Sequence, residues 1–196
     1  MTQNDAPRST AEARRATVLA RALPVFAAAG YHATPVTEVA AAAGISQAYV
    51  FRLFPGKLAL FTAVLDRCYT LIGEALSAGA EKAAGGSPME VLEAMGDAYA
   101  DLIADRDLLM LQVHAMSVAD IPEVRATMRA GHARTVALAF ELSGGTQAQV
   151  QHFFAMGQLC HLIAAMDLDA VDETWARTLT RGMRHAPHPG AGGAPA

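Results

Sequence analysis

The sequence predicts an all-α protein of about nine helices, with a small three-helix N-terminal domain and a larger helical C-terminal domain. Three observations predict it. Alanine is abundant and β-branched residues are sparse, a mix that favours helix. Apolar residues recur at helical spacing in one segment after another. Capping residues and glycine or proline breaks separate those segments, and no alternating strand pattern is present.

Residues 1–8 read as a frayed tail. Ser9, Thr10, Ala11 and Glu12 fit a capping box opening a helix that runs to about Ala29. Val18, Leu19, Ala22, Leu23 and Phe26 form its apolar stripe, Pro24 predicts a kink or break, and Gly30 ends it. Thr34 as cap and Pro35 as first residue start a short helix over 36–43, with Val39 and Ala40 facing inward. Gly44 stops it, Ile45 plugs the core, and Ser46 caps a third helix over 47–53. Phe54-Pro55-Gly56 is a turn. A helix of roughly 27 residues, about 40 Å long, then runs from Lys57 to about Ala83.

Gly85-Gly86-Ser87-Pro88 is the clearest internal break. Helices follow over about 89–104 (Leu92, Met95, Tyr99, Leu102 and Ile103 on one side) and 106–118 (Leu108, Leu109, Leu111, Val113 and Met116). Pro122 starts a helix through Val124, Met128, Thr135, Val136 and Leu142, which Gly144-Gly145 ends. Thr146 caps a helix to about Met166, and a last helix starts at Asp172 and carries Trp175, Leu179 and Met183. The predicted domains are 9–56 and 57–184, followed by a Gly/Pro/Ala-rich disordered tail over 185–196.

Overall charge is −4, yet the charge is uneven. Six basic and three acidic residues up to Lys57 leave that segment at +3, while nine basic and sixteen acidic residues leave the remainder at −7. A basic head on an acidic body is what a single phosphate-facing domain produces. Cys68 and Cys160 fit no metal spacing and read as reduced thiols in a cytoplasmic protein. No apolar run reaches membrane-spanning length, and the N-terminus lacks the form of an export signal. No metal, cofactor, phosphate loop or nucleophile–base spacing is read from the chain, so an enzyme is not expected.

The helices over 36–43 and 47–53 have the spacing of a helix-turn-helix, in which the first helix braces the second in the major groove. Here the resemblance becomes specific. Phe26-Ala27-Ala28-Ala29-Gly30-Tyr31-His32-Ala33-Thr34, Val39-Ala40-Ala41-Ala42-Ala43-Gly44-Ile45-Ser46 and Phe54-Pro55-Gly56-Lys57 with Leu60-Phe61 together resemble the N-terminal domain of TetR-family regulators. The resemblance spans residues 14–61 and implies double-stranded operator DNA as partner. It places Thr34, Thr37, Ser46, Gln47, Ala48, Tyr49, Phe51, Arg52 and Lys57 at the DNA, with Gln47 and Tyr49 on bases or phosphates and Lys57 as a phosphate clamp. Phe51 stands where the family usually has Tyr, so it cannot donate to a phosphate and packs as core; Tyr49 supplies a hydroxyl from a different place.

For the larger domain, the resemblance implies a homodimer through the last two helices, an inverted-repeat operator and an apolar small-molecule effector that releases a repressor. Met95, Tyr99, Met110, His114, Phe140, Phe153 and Cys160 are the candidate lining of that site. His152 and His161 have no metal-ligand spacing. The rival reading is a helical partner-binding protein whose DNA head has decayed, favoured by Phe51 and Leu53.

Overall fold

The computed structural model describes residues 6–183, with side chains from Ala11 onward. Its helices are α1 (Ala6–Ala33), α2 (Val36–Ala42), α3 (Gln47–Leu53), α4 (Lys57–Lys82), α5 (Pro88–Ile103), α6 (Arg106–Ser117), α7 (Pro122–Ser143), α8 (Gln147–Met166) and α9 (Thr174–Thr180). A single 3-10 turn, Leu168–Ala170, lies between α8 and α9. Among the described residues there is no strand, and no single helix is long and apolar enough to cross a membrane. The tail expected over 185–196 and residues 1–5 of the expected N-terminal tail lie outside the described residues.

The chain packs as two compact units. Among the described residues, 6–68 together with Met110–Arg129 form the first; Tyr69–Leu109 and 130–183 form the second.

In the first unit, Phe26, Phe54 and Phe61 are fully buried. Phe26 meets Phe61 edge-on at 5.0 Å between ring centroids, a geometry aromatic quadrupoles favour. Val39, Ala40 and Val50 carry the inner faces of α2 and α3. Gly44, at φ 65°, makes the tight corner between them, and the Ile45 N–H donates to the Ala40 carbonyl at 3.0 Å.

Several boundaries differ from the sequence expectation. α1 begins at Ala6, so Ser9 lies inside the helix and not at its N-terminal boundary. The backbone stays helical through Pro24, whose ring is on the exposed side, so the expected kink is absent; the break falls at Gly30, as expected, with φ 73° and ψ −179°. The positive φ suits glycine, and a Cβ there would also stand 2.9 Å from the His114 ring. Pro35, not Thr34, is the N-cap of α2. Thr34 is fully buried, and its hydroxyl donates to the Gly30 carbonyl at 2.7 Å. That bond ties up a carbonyl freed by the break in α1.

The second unit is held by close helix approaches at small residues. A Cβ on Gly79 of α4 would fall 2.5 Å from the Ala94 carbonyl oxygen and 2.9 Å from Met95 Cα, so α4 and α5 touch backbone to backbone. Gly131 of α7 lies flat against the Tyr69 ring in the same way. Two capping boxes start helices: Ser87 with Glu90 at α5, and Thr146 with Gln149 at α8. Asp167, at φ 52°, closes α8 in the left-handed conformation. The last helix is shorter than expected, spanning only Thr174–Thr180. Met116 of the first unit and Leu142, Leu162, Met166 and Trp175 of the second are exposed, although periodicity puts each of them on an apolar face.

Candidate functional site

Ser46 sets the start of α3. Its hydroxyl accepts the Tyr49 N–H at 3.2 Å, satisfying one of the donors a helix N-terminus leaves open. Val50 faces inward, which turns Ser46, Gln47, Ala48, Phe51 and Arg52 to solvent and leaves Tyr49 half-buried. These six residues therefore form one surface. Phe51 is 43% exposed, so its expected place in the core is corrected. Thr37, on the first turn of α2, is also exposed. Thr34 is removed from the candidate contacts, because a buried hydroxyl already bonded to backbone cannot reach a phosphate.

The sequence reading missed two arginines of α1. Arg14 Nη1 donates to the Tyr49 hydroxyl at 3.0 Å, and the Arg52 guanidinium lies 4.5 Å from the Tyr49 ring centroid. The Arg14 bond is the largest influence on this phenol and holds its pKa below the ordinary value. Arg15 stacks 4.1 Å over Phe54 and donates to the Leu53 carbonyl at 2.5 Å, which locks the end of α3. Lys57 is half-buried. Its Nζ donates to the His32 carbonyl at 3.0 Å and lies 5.0 Å from the Tyr31 ring centroid, and burial lowers its pKa. An ammonium has three donors, so this internal bond orients Lys57 and leaves further donors for an anion.

The candidate effector residues separate. Met110 and His114 belong to the first unit, where one side of the His114 ring covers Gly30. In the second unit, Tyr99 packs against the cluster of Ala100, Ile103, Leu109 and Cys160, Met95 is fully buried, and Phe153 reaches toward Gly96. Phe140 is exposed. Burial pushes the Cys160 thiol up to about 11, far from reactive thiolate chemistry.

His161, set aside on spacing grounds, is the most unusual polar group of this unit. It is 5% exposed, its Nε2 is hydrogen-bonded to the Tyr99 hydroxyl, and its Nδ1 is buried with no hydrogen-bond partner. Burial, then the charge of nearby His132, lowers its pKa from 6.5 to about 4. An unfolded chain takes up this proton below pH 6.5, whereas the folded one stays neutral. Stability is therefore expected to fall on acidification through that window, by up to about 1.4 kcal/mol per pH unit. Urea unfolding at pH 7 and pH 5 measures it, and His161→Phe should flatten that part of the slope.

A capped, solvent-facing helix, braced by a second helix and bordered by arginine, defines a helix-turn-helix DNA-binding protein. Residues 18–64 match the family described as bacterial regulatory proteins, tetR family. No curated protein matches the chain in sequence. Solved structures share its fold. A TetR-like transcriptional regulator from Rhodococcus sp. RHA1 aligns at TM-score 0.62 and 23% identity over 85% of this chain and 91% of its own. The transcriptional regulator FadR from Bacillus subtilis, in complex with stearoyl-CoA, aligns at TM-score 0.67 and 16% identity over 86% and 99%. AibR, in complex with isovaleryl coenzyme A and operator DNA, aligns at TM-score 0.62 and 20% identity over 78% and 86%.

Proposed function

We propose that the protein is a cytoplasmic homodimeric repressor that leaves an inverted-repeat operator when an apolar small molecule binds its larger domain. The observation that carries this reading is the surface of α3, where Gln47, Ala48, Phe51 and Arg52 face solvent around a buried Val50 inside the matched family domain. Gln47 is assigned to base edges, where a bidentate contact to adenine discriminates by about 1–3 kcal/mol. Thr37, Ser46, Tyr49, Arg52 and Lys57 are assigned to phosphate or groove edge. Leu162, Met166 and Trp175, exposed on α8 and α9, support pairing of two copies through these helices. The acyl-CoA complexes of FadR and AibR support an effector with an apolar acyl body. The effector acts by binding the DNA-free state more tightly, with the α4 helix as lever.

The test is a mobility-shift assay on the DNA flanking the protein's own gene, with and without acyl-CoA. Gln47→Ala and Lys57→Ala are each expected to weaken binding at moderate salt. Full affinity in both variants defeats the contact assignment, and salt-insensitive binding by the wild type defeats the regulator reading in favour of a partner-binding protein.

A further inference from the structure

The geometry points to His161 as the polar anchor of the effector site, donating from Nδ1 to a carbonyl oxygen carried on the effector's apolar body. This rests on the reading of the second unit as effector-binding.

The chemistry follows from the pair. His161 and Tyr99 come from α8 and α5, 62 residues apart in the chain, and their rings stack at 5.8 Å with only 16° between planes. A phenol is a far stronger acid than a neutral imidazole N–H, so the Tyr99 hydroxyl is the donor and Nε2 the acceptor. The imidazole then carries its proton on Nδ1. That N–H is buried with no partner, in a helix whose adjoining side chains are apolar: Cys160, Ile163, Ala164 and Ala165. A buried donor without an acceptor is costly, whereas an acceptor supplied by a bound molecule removes the penalty and gains the bond. The ring stays neutral at physiological pH because burial lowers its pKa, so it selects a neutral acceptor such as a thioester, ester or amide carbonyl over a cation. Tyr99 is the positioning residue, since it sets the tautomer.

Isothermal titration of the full chain with octanoyl-CoA and with S-octyl-CoA, the thioether that lacks only the carbonyl, tests it. The wild type should bind the thioester about tenfold more tightly, as one hydrogen bond predicts. His161→Phe should bind the two compounds equally. Nitrogen-15 NMR of histidine-labelled protein guards against a variant that fails to fold: the wild type should show a proton on Nδ1, and octanoyl-CoA should shift that resonance. Equal binding of the two compounds by the wild type, a proton on Nε2, or an Nδ1 signal indifferent to bound thioester overturns the anchor while leaving the effector reading standing. If neither compound binds, both fall.

Discussion

Gly79→Val is expected to lower the melting temperature by roughly 6–12 °C. The reason is where the new atoms go. Even the first of them, Cβ, would sit 2.5 Å from the Ala94 carbonyl oxygen and 2.9 Å from both Met95 Cα and Ala98 Cβ. Backbone cannot step aside as a flexible side-chain tip can, so α4 and α5 must separate. Met95, now fully buried between them, would lose its packing. Overpacking of this kind costs about 3 kcal/mol, more than the helix propensity recovered by removing a glycine. Gly73→Ala is the control, because a Cβ there meets only Leu138 Cδ2, at an ordinary 3.9 Å. That variant should melt at or slightly above the wild-type temperature, and Gly79→Val melting alongside it would remove the close-approach account of the second unit.

The joint variant Arg14→Ala, Arg52→Ala should bind a random-sequence DNA duplex about 100-fold more weakly than the wild type. Both guanidinium groups lie around Tyr49 on the exposed face of the head. Each phosphate contact removed also flattens the plot of log affinity against log salt by roughly 0.9. A lost structural role would change affinity without that slope. Arg14→Ala alone should raise the pKa of the Tyr49 phenol, read by ultraviolet titration, since the Arg14 bond is the main cause of its lowering. An unchanged salt slope in the joint variant would restrict both arginines to holding Tyr49 in place.

Much of the fold is legible in local chemistry. Thr146, Ser46 and Gly44 act within a few residues of themselves, so the cap of α8, the cap of α3 and the corner before it follow from their immediate neighbours. The apolar stripe of α1, Val18, Ala22 and Phe26, is buried as its spacing requires. Failures occur where a distant partner decides. Pro24 looks like a kink in α1, yet its ring lies on the exposed side and the helix runs on to Gly30, the expected end, which the ring of residue 114 covers. Thr34 has the profile of a cap, but burial beneath α1 gives its hydroxyl another partner. Arg14 and Tyr49 are 35 residues apart, and no periodicity brings them together. Metal-ligand spacing along one helix is blind to a phenol on another, so His161 stands out only in the fold.

The discontinuity of the first unit has a consequence for biosynthesis. Its last segment, Met110–Arg129, is translated only after an excursion of about forty residues, Tyr69–Leu109. On the ribosome, the nascent N-terminal helices therefore emerge with the backbone at Gly30 still uncovered, and His114 can reach it only once that intervening stretch has cleared the exit tunnel. Maturation of this unit is thus a late event with a loop-closure cost, even though its first helices are the earliest part of the chain to be made.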